Sequence, residues 1–201
     1  MKSILTVLAA TFLFALPAAA QGPVGLGASH AGIGYISEEK PWQISFSYQY
    51  NAVNLTGKGF ETSGGNITVT RFFKSWFGVE GQFGAGAGNT GTTTNPPNLN
   101  VKSLLLVGGG RLALRGHGRL EPWIHADVGL LHFKMNQTAG VLGSNSSFEY
   151  QGGGGLDLDI TENLALRTEG DIMETRFFGA GQRDIQVLGS VVFNLNFGPL
   201  K

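Results

Sequence analysis

Eight stretches of this chain alternate apolar residues with small or polar ones, and the gaps between them run long, short, long, short. In the first, Trp42-Gln43-Ile44-Ser45-Phe46-Ser47-Tyr48-Gln49-Tyr50, every aromatic or aliphatic side chain falls on one face. The last, Ile185 to Phe197, repeats the pattern through Val187, Val191, Phe193, Leu195 and Phe197. Strict alternation over such lengths describes strands with two unlike faces. A soluble sheet hides the apolar face in a core, whereas a membrane barrel turns it to lipid and points the polar face inward.

Composition favours lipid. Charged residues make up 14% of the 201 positions, against about 25% in soluble domains. The 32 glycines are scattered through the alternating segments instead of gathering into linkers. A net charge of zero removes any general electrostatic case for nucleic acid. The absence of cysteine excludes a disulfide framework, a thiolate metal site and a lipidated N-terminal cysteine. Lys2, the apolar run Ile4 to Leu16 and the small-residue end Pro17-Ala18-Ala19-Ala20 form a secretory signal pattern over residues 1–20, with cleavage after Ala20. Residues 21–40 are a Gly-rich periplasmic lead-in, and residues 41–201 form the domain.

The alternation predicts strands over 42–52, 64–73, 76–86, 103–115, 120–134, 147–160, 163–174 and 184–197. Most suit a tilted strand crossing a bilayer, about 9–11 residues, better than a globular strand of about 5–6. Lys74-Ser75, Gly116-His117-Gly118-Arg119 and Thr161-Glu162 read as tight turns. Val53 to Ser63, Asn89 to Lys102, Asn136 to Ser146 and Thr175 to Arg183 read as long polar loops. This asymmetry is that of an eight-stranded antiparallel up-and-down transmembrane β-barrel, with short periplasmic turns and long outer loops. An aromatic girdle at the periplasmic rim is expected from Trp42, Phe72, Phe73, Trp76, Phe77, Trp123, Phe193 and Phe197. Tyr48, Tyr50, Phe133, Phe148 and Tyr150 are expected in a weaker outer girdle.

The run Leu164-Ala165-Leu166-Arg167-Thr168-Glu169-Gly170-Asp171-Ile172, followed by Thr175-Arg176-Phe177-Phe178, resembles the seventh strand and last loop of small bacterial outer-membrane β-barrel proteins. Val107-Gly108-Gly109-Gly110-Arg111 and Glu121-Pro122-Trp123-Ile124-His125-Ala126 resemble their fourth and fifth strands. The broader relatives are the transmembrane domain of outer membrane protein A and the X-type eight-stranded barrels. The resemblance implies a fold and an outer-membrane setting, with lipid and lipopolysaccharide as surroundings and the barrel-insertion machinery as a partner in biogenesis. Such barrels finish on an aromatic residue that this machinery reads; here Phe197 is followed by Gly198-Pro199-Leu200-Lys201. No peptidoglycan-binding domain follows the barrel, so a tethering role is not implied.

Alternation also assigns the lumen. Glu80, Gln82, Arg111, Arg115, His125, Asp127, Asp157, Asp159, Arg167, Glu169 and Asp171 should face inward, with Val79, Leu112, Leu114, Ile124, Val128, Leu156, Leu158 and Leu166 as their lipid-facing neighbours. A narrow interior holding both signs of charge should pair them into a plug, because an unpaired buried charge costs several kcal/mol. The alternative is a gated pore in which Glu80, Arg111 and Arg167 exchange partners. His125 and Asp127 share a strand face, but no second histidine is expected beside them, which favours a satisfied interior histidine and no metal. His30, His117 and His132 form no ligand set. A lipid A-modifying enzyme would need a nucleophilic serine with a histidine base near the outer rim. Ser146, Ser147 and His132 are the only approach to one, without a His-x-Ser-Asn arrangement. Gly108 to Gly110 and Gly152 to Gly155 lack the Gly-Lys-Ser/Thr of a phosphate loop.

Three classes follow: a structural or surface-interaction barrel, expected to be monomeric and non-enzymatic without a cofactor; a narrow porin-like channel; and a soluble exported ligand-binding barrel. Fractionation separates them. The chain should be recovered in outer membranes with heat-modifiable gel mobility, and its mass should place the mature N-terminus at Gln21. Recovery as a soluble periplasmic protein overturns both membrane readings.

Overall fold

A computed structural model describes residues 40–55, 58–89, 99–115, 118–137, 140–177 and 180–197. Residues 1–39, which include the signal pattern, His30 and most of the lead-in, lie outside the described residues, as do His117 and 198–201. The chain forms β1 (Trp42–Leu55), β2 (Lys58–Lys74), β3 (Phe77–Asn89), β4 (Asn100–Ala113), β5 (Leu120–Gln137), β6 (Gly140–Asp159), β7 (Leu164–Phe177) and β8 (Ala180–Leu195). Each pairs antiparallel with its sequence neighbour, and β1 pairs with β8 from Trp42↔Leu195 to Ala52↔Ile185, so the sheet is a closed barrel.

Burial follows the period of two around the whole circumference. Gln43, Ser45, Ser47 and Gln49 are buried on β1, while Phe46 and Tyr48 between them are exposed. The exposed set includes Ile67, Phe83, Leu106, Ile124, Leu130, Phe148, Ile172 and Ile185, drawn from seven different strands. Soluble monomers rarely expose a contiguous apolar patch of more than a few hundred Å², and a belt that encircles the molecule is stable only against lipid. On β5 the belt runs from Pro122 to Leu130, one bilayer crossing for a tilted strand. His132 and Lys134 then replace it.

The strands do not stop where the belt stops. β5 continues to Gln137 and β6 begins at Gly140, so most of the expected loop Asn136–Ser146 is a hairpin. Likewise β1 and β2 extend through most of 53–63, and β7 and β8 through most of 175–183. Of the expected loop Asn89–Lys102, residues 90–98 lie outside the described residues. The discrepancy has a physical cause. Above the lipid the outward face meets water and turns polar, so the apolar period weakens to scattered inward residues such as Val53 and Phe60, while the backbone ladder needs no side-chain pattern to persist. At the other end the connections are short: a two-residue turn at Ser75–Trp76, and a turn before β5 in which Gly118 takes φ 138°, a conformation that favours glycine.

Three aromatic assignments are corrected. Trp123 is 4% exposed and faces the lumen, as do Phe72 and Phe133. Trp123 shares the parity of His125 and Asp127, so a lipid-facing Trp123 would have required a reversal of β5. The remaining girdle residues Trp42, Phe73, Trp76, Phe77, Phe193 and Phe197 are at least partly exposed at the end bearing the short turns. There Trp42 meets Phe197 edge-on at 6.3 Å, and the Arg71 guanidinium lies 5.1 Å from the rings of both Trp42 and Phe73.

Glycine makes room for Trp123. A Cβ on Gly155 would meet the Thr168 carbonyl oxygen and lie 2.7 Å from Trp123 Cζ2. Gly155→Val should therefore lower stability by about 1–3 kcal/mol, read as a lower urea midpoint for unfolding from vesicles. Gly189→Val, whose added Cβ would meet nothing within 4 Å, should stay within about 0.5 kcal/mol of wild type.

Candidate functional site: the filled lumen and the outer cleft

The lumen is filled in tiers. At the periplasmic end Arg115 lies 3.6 Å from Glu121 and 4.1 Å from the ring of Phe72, with Asp159 buried nearby in sequence register. Above it, Trp123 forms the centre of a stack. The Arg111 guanidinium of β4 lies 3.7 Å from the indole centroid, and that of Arg167 from β7 lies 4.8 Å away. The indole Nε1 donates to Asp157 Oδ1 at 2.8 Å. Arg167 donates to both oxygens of Asp157, at 2.7 and 2.6 Å, and to Gln43 Oε1 at 2.9 Å. Arg115, Arg111, Arg167 and Asp157 are thus each met by an opposite charge, an aromatic face or both.

Glu80 links this stack to the next tier. Its Oε2 lies 2.5 Å from Arg111 Nε and accepts from Thr70 at 3.2 Å, and its Oε1 lies 2.7 Å from His125 Nδ1. Asp127 Oδ2 lies 2.9 Å from the same nitrogen, and Asp171 Oδ1 lies 2.8 Å from Nε2 on the far side of the ring. Gln151 donates to Asp171 Oδ2 and to Gln82 Oε1, at 3.0 and 3.2 Å. Toward the outer mouth, Gln49 accepts from Asn66 and Gln186. An apolar cluster of Val53, Phe60, Val101, Leu105, Val107, Leu131, Phe133 and Met173 also faces inward there.

The structure places all eleven expected lumen residues, Glu80, Gln82, Arg111, Arg115, His125, Asp127, Asp157, Asp159, Arg167, Glu169 and Asp171, inside the barrel and buried. It adds Gln43, Glu121, Trp123, Glu149, Asp184 and Asn194, which share the same parity and could have been found from it. The inward apolar cluster carries the same parity, Leu131 and Phe133 with Asp127 and Met173 with Asp171, but residue type hid it, and Phe133 was expected in the outer girdle.

A second feature lies at the outer end. The β6–β7 ladder stops at Glu149↔Thr175, although β6 starts at Gly140 and β7 continues to Phe177. The β1–β8 ladder likewise stops at Ala52↔Ile185. The β5–β6 and β7–β8 hairpins therefore part, leaving a cleft of about 810 Å³ lined by residues that include Phe148, Tyr150, Arg176 and Gln182. Ser147 Oγ accepts from the Arg176 backbone N–H at 2.9 Å where the ladder ends. Arg183 and Glu174 form an exposed ion pair at 2.5 Å on one wall. On the outward face, Lys102 stands directly opposite Lys134, with His132 one pair below it held between Ser146 at 2.8 Å and Ser144 at 3.0 Å. No acidic group is hydrogen-bonded to that histidine among the described residues, so Ser146 and His132 do not complete a triad.

A closed sheet with a lipid-facing apolar belt and a hydrogen-bonded polar interior is a transmembrane β-barrel. The model of the outer membrane protein beta-barrel domain family matches residues 6–198, and the chain belongs to that family. Among solved structures it is similar to Neisserial surface protein A, with a TM-score of 0.65 at 9% identity over 77% of this chain and 97% of that one. Ail, the attachment invasion locus protein of Yersinia pestis, in complex with the heparin analogue sucrose octasulfate, gives 0.55 at 16% identity over 77% and 99% of the two chains. OprG from Pseudomonas aeruginosa gives 0.51 at 10% identity over 79% and 97%. At these identities the likeness is one of fold. No curated protein matches the chain in sequence.

The Asp157–Arg167 pair offers a direct test of the filled lumen. Arg167→Ala leaves Asp157 buried with the Trp123 indole as its hydrogen-bond partner among the described residues and should cost about 3–5 kcal/mol. Arg167→Met combined with Asp157→Asn should cost less than the sum of the single changes, measured by urea unfolding in vesicles.

Proposed function

We propose that this chain is a non-enzymatic surface-interaction barrel of the outer membrane, closed through its lumen and active through the hairpins that rise beyond the lipid. Residues 1–20 serve as an export signal cleaved after Ala20, the insertion machinery assembles the barrel, and the mature protein works as a monomer. The parting of the β5–β6 and β7–β8 hairpins is the observation that carries this reading. A barrel needed only as a rivet gains nothing from strands that outrun the bilayer, whereas free strand edges flanked by charged side chains are suited to contact.

The rim above the belt supports lipopolysaccharide as one partner. Like charges directly opposite on a sheet repel, and Lys102 and Lys134 are so placed at the level where lipid phosphates lie. A phosphate between them removes the repulsion. Lys102→Gln with Lys134→Gln should weaken binding of purified lipopolysaccharide to the barrel in phosphatidylcholine vesicles by roughly 30-fold, taking about 1 kcal/mol for each lysine. Unchanged binding overturns this partner. The filled lumen argues against the channel reading. Wild type should give no conductance events in planar bilayers, and lipopolysaccharide incubated with it should keep an unaltered lipid A mass; steady unitary conductance or a changed mass overturns the closed, non-enzymatic assignment.

A further inference from the structure

His125 is enclosed in a way that ion pairing with the arginines does not explain. A neutral imidazole carries one N–H and one lone pair. Here Nδ1 faces Glu80 and Asp127 at 2.7 and 2.9 Å, while Nε2 faces Asp171 at 2.8 Å and Glu169 at 3.9 Å. With the hydrogen on Nδ1 alone, the Nε2 lone pair points at a carboxylate oxygen, a repulsive arrangement that is relieved by a second ring proton or by a cation held between ring and carboxylates.

The two sides of the ring are not equivalent. On the Nδ1 side Glu80 is held by Arg111 and Thr70. On the Nε2 side neither carboxylate contacts an arginine at ion-pair distance among the described residues: Asp171 is met by His125 and Gln151, and Glu169 lies 3.9 Å from His125. Glu169 is 5% exposed and its Oε2 accepts no hydrogen bond among the described residues. A carboxylate left in that state loses its hydration without compensation. Arg111 and Arg167 are already committed to Glu80 and Asp157.

We propose that His125 Nε2, Glu169 and Asp171 hold a divalent transition-metal cation of the zinc type inside the lumen. The three residues present ligand atoms within 4.8 Å of one another, all buried. Imidazole nitrogen and carboxylate oxygens are both ordinary zinc ligands, and three protein ligands leave a fourth position for water. Glu80 and Asp127 play the part that carboxylates commonly play behind a metal-bound histidine: they accept from the other ring nitrogen, fix the tautomer and raise the basicity of the ligating one. The ion balances the carboxylate charge that the arginines leave over. It ties β5 to β7 across the intervening β6. The tier lies between the Trp123 stack and the amide and apolar groups of the outer half, so the metal is expected to enter as the barrel folds.

The test uses the barrel without an affinity tag, extracted from outer membranes, unfolded in urea with EDTA, and refolded in detergent with either Zn²⁺ or EDTA. Folding is scored by heat-modifiable mobility. After passage over a chelating resin, zinc-refolded wild type should retain about one Zn²⁺ per barrel and unfold at a higher temperature than the EDTA-refolded form. X-ray absorption should show one imidazole nitrogen among oxygen ligands. Glu169→Gln and Asp171→Asn should lower zinc affinity by at least about tenfold. If either variant fails to fold, the wild-type absorption spectrum decides. Zinc stripped by the resin, zinc without an imidazole ligand, or equal retention by folded Glu169→Gln overturns the proposal.

Discussion

Closure of the hydrogen-bond ladder between β1 and β8 is the constraint from which the rest follows. In hydrocarbon an open strand edge leaves peptide groups with no partner, so a sheet survives there only if its first strand meets its last. Once it closes, alternate side chains have no choice of environment. Half face lipid and are apolar, and half are crowded into an interior that eight strands make just wide enough for side chains to fill. The chemistry of the lumen is a consequence of that geometry: polar residues cannot face out, so they must satisfy one another inside.

They do so in a graded way. The periplasmic half relies on ions and an indole: Arg111, Arg167, Asp157 and Glu80 around Trp123. The outer half combines amides with an apolar cluster including Leu105, Leu131 and Phe133. The first arrangement is specific and intolerant, since each ion depends on a partner. The second is closer to the core of a soluble protein and lies where the strands leave the bilayer. The barrel thus changes solvent along its own axis while the backbone ladder continues unchanged.

Much of this was legible from alternation alone. The period of two separates Glu80, Arg111, His125, Asp157 and Arg167 from Val79, Leu112, Ile124, Leu158 and Leu166 without a structure. Trp123 was misread because residue type and position near a strand end were weighed above parity, although Trp123, His125 and Asp127 lie two apart on one strand. Phe72 and Phe133 repeat the lesson. The outer hairpins were illegible for another reason: hydrophobic periodicity needs one continuous apolar face, and above the lipid the outward face is polar and the inward one mixes amides and carboxylates with a few apolar residues such as Val53 and Phe60. Nor could one-dimensional spacing show that Asp171, forty-six positions from His125, closes on its Nε2.

The hydrogen bond from Arg167 to Gln43 joins β7 to β1, and Gln43 donates in turn to Asn194 on β8. Through Asp157, Trp123 and Arg111 the same chain of contacts reaches β6, β5 and β4. Its links are cross-strand and cross-lumen together, so no single hairpin can assemble it. Asp157 and Arg167 face each other within the β6–β7 hairpin, but the links through Gln43 need β1 beside β8, with the chain ends in register. The interior network in that sense favours the completed cylinder over any partial sheet, because only closure joins its last links.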